Sequence, residues 1–338
     1  MSFKDKAQKT VLDVYHTATG MRPVSGDLGI EIELEGENLT PGPAIKGWSV
    51  HNEGSLRAVG GRGPGGSEYV TNGAVKHDDV IPLVERLVDR FKAAGVVIDN
   101  NAHRTSTHIH VNVQKMTWLQ VLGYITTFTA VEPLLLALCG GKRDGNSFCI
   151  ASYDSGDLPE VFNDTCKQIE NIRESYAIEV NRGKYASLGT NRLHDFGTLE
   201  ARCFPHSIDP QEIHKWCTWL LNIKGIAINE TDTTYRTVIK QGLYEPLTLR
   251  ARVFGYEGMW GVSDNLATEL IQYGSREAYE LTRLIKRYLN KPAPEPKPSK
   301  TKTFAGFAPA PHVEVNLEVA QPAQAPFRRP RQLRPLGG

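Results

Sequence analysis

The stretch Gly29-Ile-Glu-Ile-Glu-Leu-Glu-Gly36 alternates strictly between aliphatic and acidic residues. This period of two predicts a β-strand, because successive side chains in a strand point to opposite faces of the sheet. One face is then apolar, and the other carries the carboxylates of Glu31, Glu33 and Glu35. At roughly 3.3 Å per residue, neighbouring carboxylates on that face stand about 6 to 7 Å apart. The row needs water or cations to neutralise it, so a solvated surface and a metal site are both open interpretations.

A second alternating segment, Thr198 to Phe204, carries opposite charges on one face. Glu200 and Arg202 share that face, whereas Leu199, Ala201 and Cys203 share the other. A carboxylate that holds a cation beside a guanidinium that binds a phosphate oxygen suits phosphoryl transfer. A surface ion pair across two strands is the alternative interpretation.

A third strand is predicted around Thr107-His-Ile-His-Val-Asn112, where His108, His110 and Asn112 fall on one face. An H-x-H pair is common in metal sites, but no H-x-x-E-H motif or cysteine cluster accompanies it. One histidine could bind a metal or donate to an anionic intermediate. Both could equally form hydrogen bonds inside the fold.

Between these strands lies a glycine-rich stretch from Gly60 to Gly66, followed by Glu68 at the start of another strand signal. The stretch lacks the G-K-[ST] ending of a phosphate-binding P-loop, so a hairpin connection is the favoured interpretation. Glu68 would be well placed there as a further metal ligand.

Helices are mixed with these strands, so we expect an α+β fold. Apolar residues recur every three or four positions in four segments, and each predicts a helix: Asp78–Ala94, Thr117–Leu138, Pro210–Glu230 and Ser275–Leu289. The segment from Val121 to Cys139 is the most apolar, but it contains Glu132 and Pro133, which favour a buried helix over a membrane span.

Composition divides the chain into two regions. Ten of the twenty prolines lie after Asn290, in a segment with eight basic and three acidic residues and no apolar periodicity. Such a segment cannot bury enough surface to fold, so residues 291–338 are predicted to be a disordered, basic, proline-rich tail. Residues 1–290 are predicted to form the folded domain.

The whole chain has a net charge of +1 and five cysteines without a C-x-x-C pair. Near-neutral charge gives no reason to expect nucleic acid or an anionic membrane as a partner, apart from a contact through the basic tail. The cysteine pattern indicates neither a disulfide framework nor a zinc knuckle. The first residues lack the apolar core of a signal peptide, so the sequence favours a cytoplasmic location.

Taken in order, five short motifs resemble the amidoligase family, glutamine synthetase-like carboxylate–amine/ammonia ligases of bacteria and phages. They cover roughly residues 27–230, and two depart from the family pattern. Glu53 replaces the usual aspartate, and Ser106-Thr107 replaces the usual small residue before the first histidine. The motifs are G-x-E-x-E at Gly29–Glu33, the turn Glu53–Leu56, G-x-E-[LY]-V at Gly66–Val70, H-x-H at His108–His110 and the block Tyr185–Arg202.

The resemblance implies a curved, mostly antiparallel sheet backed by helices, with ATP and Mg²⁺ on its concave face. It implies amide-bond formation between a carboxylate and an amine through an acyl phosphate. Glu31, Glu33, Glu68 and Glu200 would hold Mg²⁺, while Arg202 and His110 would act on the reacting groups. Glu35 would support the site or deprotonate the amine. Nucleotide contacts would come from Arg57, Arg202 and His108.

Two other functions remain open at this point. A metal-dependent hydrolase would use the H-x-H strand and a carboxylate to activate water, without ATP. A noncatalytic phage assembly or binding module would neither activate water nor use ATP. The carboxylate and amine partners, which could be small molecules, peptides or proteins, are not identified by the sequence, and a phage-encoded protein would act in the host cytoplasm.

Overall fold

Seven strands form one sheet in the part of the chain that the computed structural model describes, which is residues 2–39, 42–52, 54–56, 65–140, 149–152, 158–170, 186–256 and 261–292. The strand order is β2-β3-β1-β5-β7-β6, and β4 pairs with the end of β1. Every pairing between these strands is antiparallel. The strands are β1 (Leu28–Glu37), β2 (Trp48–His51), β3 (Gly66–Thr71), β4 (Val97–Ile98), β5 (Ser106–Asn112), β6 (Leu188–Gly189) and β7 (Thr198–Pro205).

Helices supply the other layer, which confirms the α+β class with a mostly antiparallel sheet. Three of the four predicted helices appear within two residues of their expected bounds. The helices are α1 (Phe3–Ala7), α2 (Val11–Thr19), α3 (Val80–Ala94), α4 (Trp118–Leu138), α5 (Leu158–Glu170), α6 (Pro210–Asn229), α7 (Arg236–Tyr244), α8 (Pro246–Phe254) and α9 (Asp264–Leu289).

The two faces of β1 have the burial that its alternation predicts. Ile30, Ile32 and Leu34 are completely buried, whereas the side chains of Glu31 and Glu33 keep some exposure to solvent. The apolar face packs into the core, which drives the sheet and the helices together by removing aliphatic surface from water. The acidic residues are therefore directed to the opposite face.

The apolar helix α4 is a core helix. By length and composition it could cross a membrane, but 89% of its most apolar window is buried within the fold. Its first turn is closed by a capping box, in which Thr117 accepts from the Gln120 amide and Gln120 accepts from the Thr117 amide. The prediction of a buried helix is confirmed.

The last helix is longer than predicted, because it begins at Asp264 instead of Ser275. Gly274 lies inside α9 where α9 crosses α4. A Cβ atom at this position would stand 2.5 Å from the carbonyl oxygen of Ala130, so only glycine permits this approach.

All of the described residues lie within Met1–Pro294, one compact unit. Nearly all of the predicted tail, 293–338, lies outside the described residues, so the tail and the domain boundary stay predictions. The five cysteines lie within the described residues, and all of them are buried.

Candidate functional site

The strand register brings the predicted polar residues together on one face of the sheet. Glu31 of β1 stands opposite His108 of β5, and His110 stands opposite Glu200 of β7. Because residues paired across antiparallel strands share a face, these side chains project on the same side as the carboxylates of β1. Three strands whose residues lie up to about 170 positions apart in the sequence therefore meet in one cluster.

Glu31 lies at the centre of this cluster between the two histidines. Its Oε1 is 3.0 Å from His110 Nε2, and its Oε2 is 3.3 Å from His108 Nδ1. His108 Nδ1 is also 3.4 Å from Glu200 Oε1. Both rings are almost fully buried, so their interaction with the carboxylates is only weakly screened by solvent.

The Ser106 hydroxyl connects His108 to Glu33. The Ser106 hydroxyl donates to Glu33 and lies 2.7 Å from His108 Nε2. A hydroxyl has a single proton, so His108 Nε2 donates to Ser106 when Glu33 is ionised. The other nitrogen, Nδ1, faces Glu31 and Glu200. This arrangement places an imidazole nitrogen against two carboxylates that could bind a cation.

Arg202 forms an ion pair with Glu200 through Nη1 and Oε1. It lies at a β-bulge, because the β5–β7 register shifts so that Arg202 and Cys203 together stand opposite His108. Bulges re-aim side chains next to binding sites. The predicted pairing of Glu200 and Arg202 on one face is therefore formed, and it lies beside the histidines rather than on an open surface.

The titration behaviour of the cluster follows from burial and charge. Burial alone would raise the pKa of Glu31, but hydrogen bonds and charges from His108 and His110 outweigh it and hold that pKa well below its usual range. Burial alone would lower the pKa of His110, but Glu31 and the more distant Glu200 outweigh it and raise that pKa. Without a metal ion, Glu31 is therefore anionic and His110 is readily protonated.

Three of these residues could bind one cation together. Glu31, Glu200 and His110 each offer a ligand atom, and these atoms lie within 4.8 Å of one another. Two carboxylates and one imidazole suit a divalent ion, with Mn²⁺ accepting both donor types and Mg²⁺ preferring the oxygens. The His110 ring is oriented from its other side, because Nδ1 lies 3.2 Å from Thr198 Oγ1. Such outer contacts orient metal-binding histidines.

The remaining predicted carboxylates lie farther along the same face. Glu33 stands directly opposite Glu68 of β3, which in turn stands opposite His51 of β2. Glu35 is buried two residues beyond Glu33, at the end of β1 away from His110. These residues extend the acidic face, but the three-ligand group does not include them. Arg57, proposed for nucleotide contact, lies outside the described residues, as does Glu53.

Ser106 and Thr198 are site residues that the sequence interpretation did not select. Each precedes a selected residue by two positions, Ser106 before His108 and Thr198 before Glu200. Strand alternation therefore placed both on the polar face, and this spacing is the signal that could have found them. Their partners became evident only with the register between strands.

A buried carboxylate supports the β7 side of the site. Glu132 of α4 is fully buried, and its Oε1 accepts from the amide and the hydroxyl of Ser152, both at 2.9 Å, and from the hydroxyl of Ser187. The Ser187 carbonyl accepts from the Arg202 amide at 2.7 Å. The core helix is thus connected through two serines to the backbone that carries Arg202.

A cavity of about 400 Å³ adjoins the cluster at the end of the sheet where β1 begins and β5 ends. Glu31, His110 and Thr198 border it from the sheet. Its other walls come from the segments before β1, after β3 and before β7, and they include Met21, Val24, Ala74 and Phe196. The volume lies in the range of sites for small molecules. The site therefore combines a charged cluster with an adjacent, largely apolar space.

Residues 70–224 match the family model described as "Putative amidoligase enzyme". The matched region contains His108, His110, Glu200 and Arg202, and it begins after Glu31, Glu33 and Glu68. No curated protein matches the chain. The match confirms what the five sequence motifs indicated, that the chain is related to the amidoligase family through residues 70–224.

Proposed function

We propose that the protein is an ATP-dependent carboxylate–amine ligase, with a glutamine synthetase-like sheet, that forms an amide or isopeptide bond through an acyl phosphate. The observation that carries the proposal is the convergence of Glu31, His110, Glu200 and Arg202 on one sheet face. The amidoligase match, which includes four strands of that sheet, supports ligase chemistry in general. The cluster also lies beside a cavity of about 400 Å³, which is large enough to hold part of a small-molecule substrate.

Glu31 and Glu200, with His110, are our assigned metal ligands, and Glu33 and Glu68 are assigned to further Mg²⁺ bound with the nucleotide. Mg²⁺ would supply positive charge that neutralises the phosphates of ATP and the charge that develops during phosphoryl transfer. The donor set fits this role because the face presents several carboxylates at short spacing. His108 is assigned a supporting position, since its Nδ1 faces two of these carboxylates.

The chemistry explains why a guanidinium lies among carboxylates. An amine does not displace oxide from a carboxylate, so a carboxylate oxygen first takes the γ-phosphoryl group from ATP and ADP leaves. The amine then attacks the acyl carbon, phosphate leaves, and the nitrogen loses a proton. Arg202, held in place by Glu200, would stabilise charge on the transferring group. Glu35, on the same acidic face, is our candidate for the proton acceptor.

The substrates are a carboxylate and an amine, and the carboxylate could belong to a small molecule, a peptide or a protein. We propose that the reaction takes place in the cytoplasm, where ATP is available, in the host cell if the protein is phage-encoded. A contact with nucleic acid is proposed only for the basic tail.

Hydroxylamine trapping tests the proposed mechanism. The protein would be incubated with MgATP, hydroxylamine and a panel of amino acids, dicarboxylates and peptides. An acyl phosphate would give a hydroxamate together with equal amounts of ADP and phosphate. Arg202→Ala should lower the rate by about 10²- to 10³-fold, the loss typical when one donor to developing charge is removed. The exposed Arg287 of α9 provides the matched control, Arg287→Ala, which should leave the rate unchanged.

Three results would contradict this mechanism. Release of AMP and pyrophosphate would indicate an acyl adenylate. Amide or ester hydrolysis without a nucleotide would favour a metal-dependent hydrolase, for which the mixed histidine and carboxylate ligands are also suitable. Nucleotide-independent binding with no turnover of any panel member would favour a noncatalytic module.

A further inference from the structure

A cavity of about 430 Å³ lies between α7 and α9, and we call it the α7–α9 cavity. Three cationic side chains border it, Arg236 and Lys240 from α7 and Arg276 from α9. None of the described residues that line it is acidic, although acidic residues outnumber basic ones within residues 1–290. It shares no lining residue with the cavity beside Glu31, so the ligase proposal does not explain it.

The positive charge of the α7–α9 cavity is not neutralised by neighbouring carboxylates. Glu280 of α9 is engaged with Arg283, whose Nη1 is 3.0 Å from both of its oxygens. Glu277 follows Arg276 directly in the sequence but does not line the cavity. Within the part of the chain that the structure describes, Lys240 and Arg276 form no ion pair. An entering anion would therefore meet cations that no carboxylate already holds.

Two tyrosines add aromatic surface to this basic cavity. The Arg236 guanidinium carbon lies 5.9 Å from the centroid of the Tyr279 ring, which is a cation–π contact. Tyr244, at the end of α7, is 79% exposed, so the fold leaves its ring uncovered. The remaining lining is aliphatic, from Ile239 and Leu243. An uncovered ring beside several cations suits a ligand that joins a planar group to an anionic one.

The backbone around the cavity offers little to a peptide. The Ile239 amide donates to the Tyr235 carbonyl at 3.3 Å, and the Leu243 carbonyl accepts from the Gln272 side chain at 2.9 Å. An acidic peptide would lose water from its own backbone amides without finding partners on these helix surfaces. Phosphate groups and a base need only cations and a ring face. The cavity therefore favours a ligand that carries a phosphate and a base.

The charges at the two ends of the cavity favour a compact ligand over a long strand. Asp232 stands at the start of α7, where it accepts from the Thr237 amide at 3.2 Å. Along α9, the Glu280–Arg283 pair lies one to two turns beyond Arg276. A strand leaving the cavity in these directions would bring its next phosphate to a carboxylate or to an arginine that is already paired. The cavity volume also lies in the range of small-molecule sites.

We propose that the α7–α9 cavity binds a free nucleotide. Its phosphates contact Arg236, Lys240 and Arg276, and its base lies against Tyr244. Stacking on a ring face does not select one base, so the ligand class is nucleotides in general. This second nucleotide site goes beyond the ligase function and does not depend on it, because binding here needs neither the sheet face nor turnover.

Calorimetric titration of ADP into the full-length protein tests the proposal. EDTA is present, which removes the Mg²⁺ on which the site at the sheet face is proposed to depend. Adenosine lacks the phosphates and inorganic pyrophosphate lacks the base, so they serve as comparison ligands. ADP should bind at least about tenfold more tightly than either, since one charged hydrogen bond or one stacked base typically contributes that much. Added salt should weaken the binding of ADP and leave that of adenosine unchanged.

Substitutions locate the ADP that binds in EDTA. Arg276→Ala and Tyr244→Ala should each weaken it about tenfold, through loss of a charged hydrogen bond and of the stacking surface respectively. Arg287→Ala and Tyr256→Ala are the matched controls, because both residues are exposed and neither lines the cavity. Both controls should bind ADP like the wild type, and so should Arg202→Ala. All four cavity and control residues are exposed, so these changes do not threaten folding.

The inference is overturned if ADP does not bind in EDTA, or if pyrophosphate binds as tightly as ADP. It is also overturned if Arg202→Ala abolishes this binding while Arg276→Ala leaves it intact, which would place ADP at the sheet face. Displacement of ADP by a short oligothymidylate far below the Kd of ADP would assign the cavity to a nucleic acid strand instead. Hydroxamate formation reports separately on the ligase function in each of these cases.

Discussion

Two glutamates in this molecule are removed from bulk water in different ways. Glu132, inside α4, receives hydrogen bonds from serine hydroxyls and a backbone amide, and none of these donors titrates in the physiological range. Glu31, on the sheet face, is bonded to two histidines, which can exchange a proton for a metal ion. Fixed donors make the first carboxylate a structural element. Exchangeable partners make the second one suitable for binding and chemistry.

The largest expected effect is on the structural carboxylate. Glu132→Ala removes the acceptor for three donors in the core, so we expect a loss of about 3 to 5 kcal/mol in the free energy of unfolding. Glu132→Gln retains a carbonyl oxygen for the same donors and should recover most of that loss. Urea unfolding of both variants measures the difference. If the Glu132→Ala protein were as stable as the wild type, Glu132 would not have the structural role proposed for it.

The next effect is on the exchangeable carboxylate, and it is measured as metal binding. Glu31→Gln removes one ligand charge, so affinity for Mn²⁺, used as a paramagnetic probe, should fall about 100-fold or by roughly 2.7 kcal/mol. The free energy of unfolding of the metal-free protein should also fall, because the ionised carboxylate that His108 and His110 stabilise is replaced by a neutral amide. Glu269→Gln on the exposed surface of α9 is the matched control. Equal Mn²⁺ affinity in both variants would place the metal elsewhere.

A smaller effect is expected from the contact behind His110. Thr198→Val keeps the shape of the side chain but removes the hydroxyl 3.2 Å from His110 Nδ1. Loss of such an orienting contact typically lowers metal affinity by about 10- to 100-fold, and we expect the lower end because the ring remains buried. Electron paramagnetic titration with Mn²⁺ would detect it. An unaffected Kd would show that packing alone orients the ring.

The smallest effect is the pH dependence of stability in the metal-free protein. The pKa of His110 is raised from 6.5, so its contribution is complete below pH 6.5 and is lost as the pH rises through the folded value. The pKa of Glu31 is lowered from 4.5, so its contribution is complete above pH 4.5 and is lost as the pH falls. Between pH 4.5 and pH 6.5, Glu31 and His110 therefore both contribute fully to the stability of the fold.

Urea unfolding of the wild type and of His110→Gln from pH 5 to pH 9 measures the contribution of His110. EDTA is present to remove metal ions. The stability advantage of the wild type should shrink as the pH rises above 6.5, against the small opposing charge effect of Arg192. The free energy of unfolding of Glu132→Gln should differ from that of the wild type by the same amount at every pH between 7 and 9. A difference that grows with pH for His110→Gln would reverse the sign of this argument.

The strands and their faces could be predicted from the sequence because alternation is local information. The ionisable residues of the cluster were identified in this way, and the family resemblance agreed with them. The register could not be predicted, since no single strand encodes which neighbour will lie beside it. The hydroxyl partners Ser106 and Thr198 were missed for that reason. The first eleven residues of α9, from Asp264 to Gly274, were also missed.

The bulge at Arg202 and Cys203 has a consequence for insertions and deletions along the strands. In β1, loss of one residue would turn every later side chain to the other face and exchange carboxylates for aliphatic groups. In β7, loss of Cys203 would leave Ala201 and Phe204 facing the core with Arg202 between them on the site face, which is a regular alternation. Phe204 could keep its stacking against Trp216 of α6. Related chains should therefore vary in length at this bulge more readily than in β1.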